Sequence, residues 1–451
     1  MKRITVPFKA DPPDGDGVED LAWGQREIWT AMVRQEWWLP IGYARAVPAG
    51  TTVEDLVEEV RYMMGRYPTL RTTLRYDPDG VTRQVVAGSG EIEVEVVDAA
   101  DDEDPAAVAD AARQRYWDGE YDLVHGLPIW IAIIRHRGVP THLVTVMSHL
   151  VLDAFGGLVM LDEVVSRPEE PTAMPPREQV RWQSSPAGQR QNAAALRYWE
   201  KVLSTVPARR FPHRHEPRSP RHWEARFRSP AAHLALRVLA ARTKVDASPL
   251  LLATFAIAMG RHTGINPVAV QVVVNNRFRP GLARSMSPLS QTGICAIDLA
   301  GLTIDDAVRL TARQAIAAYK HAYYNPSDVD DLVARLAAER GEELDLACFF
   351  NDRRIDVRDQ EAGPAPTPEQ VRAALPHSTF EWSRQRDTSF ERMFAHIEDV
   401  PDMMAITIAG DTHYMSPGDL EAVVRGMEAV AVEAAFDPAA TTGIPASGSS
   451  R

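Results

Sequence analysis

The chain has 451 residues, more than one hydrophobic core usually supports, and its 45% hydrophobic and 25% charged residues are those of an ordinary globular protein. Two lobes are therefore expected. A formal net charge of −13 opposes non-specific nucleic-acid binding, which needs clustered cations. No window approaches the roughly 18 apolar residues of a membrane span. The start Met1-Lys2-Arg3-Ile4-Thr5-Val6-Pro7 also lacks the apolar centre of a signal peptide. A cytoplasmic location with no membrane or nucleic-acid partner is the expectation.

In chain order, residues 11–17 read as a Pro/Gly/Asp loop, followed by an amphipathic helix on which Leu21, Gln25, Ile28, Trp29 and Met32 share a face. Thr52 caps a helical pattern running to Tyr67, where Pro68 ends it. Residues 69–76 alternate as a strand into the turn Asp77-Pro78-Asp79-Gly80, and residues 81–86 return as the hairpin partner. An acidic loop over 99–104 precedes a helix at 107–118 and strands at 129–134 and 141–147. Helical spacing resumes over residues 158–165. His149 therefore lies on a strand-to-helix turn, held on both sides by regular structure, where a general base is useful. Alone, such a histidine reads as a satisfied core residue.

Residues 166–188 are rich in proline and charge without clear periodicity, and the lobe boundary is placed there: an N-terminal lobe over 1–175 and a C-terminal lobe over 176–436. Helices are expected at 192–203, 247–263, 306–322 and 419–435, and strands at 267–274, 346–351 and 404–408. Residues 437–451, rich in Ala, Thr, Gly and Ser, read as a disordered tail. Alternating strands and helices in both halves give an α/β chain. Cys295 and Cys348 lie in apolar strand-like surroundings and read as core residues rather than a disulfide, nucleophile or metal site. The segment 207–222 collects Arg209, Arg210, Arg214, Arg218 and Arg221 with His213, His215 and His222. It reads as a solvated loop, or more sharply as a docking patch for an acidic carrier or CoA phosphates. No metal site is expected, because His213 and His215 lack further ligands.

Ser148-His149-Leu150-Val151-Leu152-Asp153-Ala154 resembles the HHxxxDG motif of nonribosomal peptide synthetase condensation domains, within the CoA-dependent acyltransferase superfamily. Other stretches match that family in its order. Residues 22–29 are similar to its A-x-x-Q-x-x-x-W motif, and 66–72 to R-H-x-x-L-R-T. Ser248 through Gly264 and on to Asn275-Asn276-Arg277 resembles the long helix, Y-T-G turn and strand ending in A-G-R. Residues 288–299 resemble a degenerate F-F-V-N-T-L-x-L-R-V-D-L. The resemblance spans about residues 18–435, with no adjoining adenylation or carrier domain.

The resemblance implies two chloramphenicol-acetyltransferase-like lobes arranged as a V around a central tunnel. A thioester on a carrier-protein phosphopantetheine, or on CoA, would enter one side and an amine or alcohol the other, with no bound cofactor. His149 matches the histidine that deprotonates or orients the nucleophile, a role suited to imidazole. Asp153 matches the motif aspartate, expected to pair structurally with Arg277, the match to the A-G-R arginine. Backbone N–H groups near Phe155 and Gly156 would stabilise an oxyanion. The motif loop departs from the family at Ser148, where a first histidine is usual, and at Ala154, where glycine is usual. Ala154 is expected to disfavour positive φ and to narrow substrate access or tilt the loop. Trp23, Trp29 and Trp130 are assigned to the core.

Three functions follow from the resemblance. The first is a free-standing condensation-type acyltransferase making an amide or ester from a carrier-bound thioester in natural-product biosynthesis. The second is an acyl-CoA-dependent O- or N-acyltransferase. The third is a catalytically silent module that binds a carrier protein and recruits a tailoring enzyme.

Overall fold

The computed structural model describes residues 2–10, 17–169, 174–212, 217–354, 364–387 and 391–445. Two compact units appear: residues 1–190 with 275–290, and residues 191–274 with 291–451.

The first unit contains β1 (Lys2–Lys9), β2 (Gly17–Asp20), α1 (Trp23–Gln35), β3 (Pro40–Ala46), α2 (Val53–Arg66), β4 (Thr72–Tyr76), β5 (Thr82–Val86), β6 (Ser89–Ala99), α3 (Pro105–Trp117), β7 (Ile129–His136), β8 (Val139–Ser148), α4 (Ala154–Ser166) and α5 (Pro176–Ser184). Its main sheet has the order β1-β6-β7-β8-β3, and β2-β5-β4 form a small second sheet. Strand alternation sorts the apolar residues onto two faces. Val144 and Val146 of β8 join Met32, Trp38 and Ala112 on one side, while Leu143 and Met147 join Val60, Met64 and Met160 on the other. Thr52 caps α2 through a reciprocal pair with Asp55, as its sequence position suggests. The strand expected over 69–76 begins only at Thr72, because Pro68 starts a single 3₁₀ turn through Arg71.

The second unit contains α6 (Pro186–Leu203), β9 (His222–Ser229), α7 (Pro230–Thr243), α8 (Ala247–Thr263), β10 (Val268–Val274), β11 (Gln291–Ile297), α9 (Ile304–Lys320), α10 (Pro326–Arg340), β12 (Cys348–Asp352), α11 (Pro368–Ala374), β13 (Thr379–Arg386), β14 (Met393–Glu398), β15 (Met404–Asp411) and α12 (Pro417–Phe436). The seven-stranded sheet runs β11-β10-β12-β14-β15-β9-β13. α8 is buried nearly all round and packs against the sheet with α7, α9 and α12. Cys295 and Cys348 are free and fully buried, and burial pushes both thiols up to about 12, which keeps them protonated.

Three expectations need correction. The division falls at Arg190/Gln191 rather than 175/176, and residues 275–290 rejoin the first unit. The stretch 166–188 is not without periodic structure: α5 lies within it and α6 begins there. The helical period of α5 is hidden because half of its buried face is polar, with Gln179 and Gln183 facing inward beside Pro176 and Val180. Gln183 accepts the Trp23 N–H at 3.1 Å, and Gln179 donates to the hydroxyls of Ser285 and Ser287 at 2.8 and 2.6 Å. Finally, residues 437–445 are an ordered strap. Thr442 is fully buried, donates through Oγ1 to Leu299 O at 2.7 Å and through its backbone to Leu302 O at 2.9 Å. Arg261 donates to the carbonyls of Thr441 and Thr442 at 2.8 Å. Small polar residues conceal this segment because most of its contacts are hydrogen bonds, with only Ala440 and Ile444 joining the apolar core. Residues 446–451 lie outside the described residues, as do most of the loop expected at 11–17 and His213, Arg214 and His215.

The candidate docking patch is partly used up in structure. Arg210 is buried, with its basicity lowered by desolvation, and donates to Pro207 O. Arg221 makes a two-pronged pair with Asp411 at 2.8 and 2.6 Å. Among the described residues no helix is long and apolar enough to cross a membrane, and no group of three or more His, Cys, Asp or Glu could hold a metal ion.

Candidate active site

β8 ends at Ser148 and α4 begins at Ala154, so the motif spans the turn between them within the first unit. Ser148 still follows the strand's alternation. Its side chain is fully buried on the side of Val144 and Val146, where Oγ donates to Trp38 O at 3.3 Å and accepts the Leu150 N–H at 3.2 Å. His149 follows in the turn and is half-buried. Its backbone N–H donates to Leu39 O at 2.9 Å, and Leu39 adopts a left-handed backbone, φ 47°. The segment joining α1 to β3 thus holds the two motif residues through two successive carbonyls.

Asp153 is the N-cap of α4, with Oδ1 accepting the Gly156 N–H at 2.9 Å. It is also almost wholly buried against Arg277. Nη1 of Arg277 reaches Oδ2 at 2.8 Å and Nη2 reaches Oδ1 at 2.7 Å, a fork-on-fork pair. Oδ2 further accepts the backbone N–H groups of Leu289 and Ser290 at 3.1 and 3.2 Å and the Ser290 hydroxyl at 2.9 Å. Burial acts to raise the Asp153 pKa. The Arg277 charge and these donors outweigh it and hold the carboxyl below its ordinary value. Arg277 in turn donates to Ser285 O at 2.8 Å, and its guanidinium lies 5.8 Å from the centre of the Phe155 ring.

Arg277 reaches Asp153 because the chain bends as it leaves β10. Asn276, the residue before it, is fully buried with φ 57°, a conformation asparagine tolerates, and its side-chain amide donates to Leu289 O at 2.9 Å. Residues 275–290 then pass close to both helices. A Cβ on Gly156 would lie 2.1 Å from Met286 O, and one on Gly24 would lie 2.1 Å from Pro288 O. Glycine is required at both positions by the approach of this segment's backbone.

The sequence-derived residues are therefore brought together, with two adjustments. The Gly156 N–H is committed to capping by Asp153, so it is not available as the oxyanion donor that the sequence suggests. Ala154 is exposed at the first helical position and is not among the residues with positive φ, so the position makes no demand that alanine would resist. Trp23 is buried, edge-on to Trp182 at 6.3 Å, and Trp130 packs with Trp38, Tyr116 and Tyr121, as core assignment requires. Trp29 is half-buried against Tyr76. Sequence reasoning missed Trp38, Leu39 and Leu289, which act through main-chain groups that side-chain motifs do not report, and Ser290, which adds its hydroxyl to its backbone N–H.

The family model of the condensation domain matches residues 47–351, a span that contains the motif turn, α4 and Arg277. The chain belongs to the condensation domain family. That family is one of acyl-transferring enzymes. A cyclosporin synthetase of Tolypocladium inflatum is 24% identical to this condensation domain over 292 residues, 60% of the chain, which spans 2% of that relative's length. Two solved structures share the fold. The condensation domain of the monacolin K polyketide synthase MokA has a TM-score of 0.72 at 14% identity, covering 95% of this chain and 100% of that one. SgcC5 of Streptomyces globisporus has a TM-score of 0.69 at 18% identity, covering 94% and 100%.

Proposed function

We propose that this condensation domain is an acyltransferase that forms an amide or ester from a thioester borne on the phosphopantetheine of a carrier protein, with His149 as general base. The observation that carries the reading is the buried Asp153–Arg277 pair, which fixes the turn presenting His149, itself a half-buried residue. The acceptor nitrogen or oxygen attacks the thioester carbon as His149 takes its proton. The tetrahedral oxyanion is met by the Phe155 N–H at the start of α4. Collapse expels the thiolate, which regains a proton from the imidazolium, giving amide or ester and free thiol.

SgcC5 is described in complex with 1-(2-naphthyl)-1,2-ethanediol, which supports keeping an alcohol among the acceptors. Ser148 and Ala154, where the motif departs from the family, bear on the silent-module alternative. One is a packed core residue and the other an unstrained helix start, so neither removes a group from the base.

The test is mass spectrometry of candidate carrier proteins loaded with acyl groups, incubated with a panel of amines and alcohols. The wild type should unload the carrier and form product, and His149→Ala should lower the rate by about 10²–10⁴-fold. Equal product from His149→Ala would overturn the assignment of the base. Turnover of acyl-CoA equal to that of the matched carrier would move the donor to CoA.

A further inference from the structure

The second unit carries a cluster of polar and aromatic groups that His149 chemistry does not use. Along β12, β14, β15 and β9, one set of alternate residues enters the core, including Phe350, Ala395, Ile408 and Phe227. The opposite set is chemically richer. Strand register places Asn351, His396, Thr407 and Arg226 in one row across these four strands, with Phe349 beside Phe394 in the next. The His396 ring stacks on Phe394 with centroids 3.9 Å apart, and Phe394 lies 5.2 Å from Phe349.

Arg353 follows β12 directly and stays in register, its N–H donating to Ile397 O at 3.0 Å. Its Nη2 lies 3.2 Å from His396 Nε2 and its Nη1 3.3 Å from Glu398 Oε1. A guanidinium only donates, so His396 Nε2 is the acceptor and the imidazole is neutral. Burial, then the positive charges of Arg353 and Arg386, push His396 well below its ordinary pKa and keep it an acceptor. Desolvation lowers the basicity of Arg353, and 46% of its side-chain surface remains exposed. A guanidinium oriented by two acceptors, one of them uncharged, has its remaining donors set in direction before any ligand arrives.

We propose that Arg353, oriented by His396 and Glu398, anchors a binding site for a small aromatic carboxylate. The carboxylate lies on the guanidinium fork and the ring along the Phe394–His396 stack. Arg353 is the binding residue and His396 its positioning residue. A carboxylate suits the fork better than a neutral carbonyl because its two oxygens accept two parallel guanidinium N–H bonds, although the charges already acting on Arg353, those of Glu398 and Glu224, are both negative. This site stands apart from the acyl-transfer reading, since occupancy is measured without turnover.

Phenylacetate titrated into the full chain, with binding followed by calorimetry and ligand-detected NMR, tests the proposal. Saturable binding is expected, with the neutral isostere phenylacetamide about tenfold weaker or more, the scale of a charge-assisted fork. Arg353→Met should weaken phenylacetate by about the same factor. His396→Leu should also weaken it, while His396→Gln, which restores an acceptor, should recover most of the affinity, a rescue that a purely structural role would not give. Should Arg353→Met melt early, the phenylacetate-to-phenylacetamide ratio on the wild type decides. Absence of saturable phenylacetate binding up to roughly 10 mM, equal affinity for both probes, or an unchanged affinity in a folded Arg353→Met variant would each overturn the site.

Discussion

Replacing Asp153 by alanine removes the helix cap and strands Arg277, whose side chain is only 9% exposed, without an anion. Breaking a buried ion pair from one side costs about 3–5 kcal/mol, because the remaining charge is left uncompensated. The lost cap at Gly156 adds about 1 kcal/mol. For a unit of a few hundred residues, each kcal/mol moves the midpoint by about 2–4 °C, so the ion-pair loss alone predicts a drop of about 6–20 °C. Differential scanning calorimetry would read this in the transition of the first unit. Asp153→Asn keeps the cap and much of the shape and should fall in between. The effect has a definite pH dependence. The folded carboxyl titrates below its ordinary 3.8, so its stabilisation is fully present above that value and lost as pH falls through the folded pKa. The midpoint gap between wild type and Asp153→Asn should therefore narrow in acid below pH 3.8. An Asp153→Ala midpoint within a degree or so of wild type at neutral pH would refute this account of the pair.

Restoring the family's histidine by Ser148→His should destabilise by about 1–3 kcal/mol, since the ring would enter a filled space beside Met32 and Trp38. A rise in melting temperature would contradict that packing. Gly156→Ala should also cost about 1–3 kcal/mol, because its methyl group would meet Met286 O, and denaturant unfolding would measure it. Ending the chain after Phe436 should lower the midpoint of the second unit, since the Thr442 and Arg261 hydrogen bonds are worth about 1 kcal/mol each. An unchanged calorimetric profile would mean the strap adds nothing.

Where a segment's burial follows its own periodicity, the sequence suffices. α8 occupies the expected 247–263, apolar throughout and closed by Gly264 in the left-handed conformation, and β8 and the turn at His149 are equally legible. β1 and β6 also alternate visibly, as with Ile92, Val94 and Val96 between Glu91, Glu93 and Glu95. α5 and the strap at 437–445 resist such reading because they bury amides and hydroxyls among only a few apolar side chains, such as Val180 and Ala440. At the site, Asp153 and Arg277 were paired only through a family resemblance. Nothing local to either residue announces a partner 124 positions away, and the Leu289 and Ser290 donors are invisible without the fold.

The passage of residues 275–290 through the first unit bears on synthesis at the ribosome. Domains generally form as their residues emerge, but here the carboxylate at the head of α4 meets its guanidinium only after the chain has been made through Arg277 and on to Ser290. A nascent chain of the first 190 residues would hold Asp153 without its counter-ion and Gly24 and Gly156 beside empty space. The reactive turn therefore becomes rigid late, once well over half of the polypeptide exists, and every ribosome-bound intermediate before that point carries His149 on an unfinished scaffold.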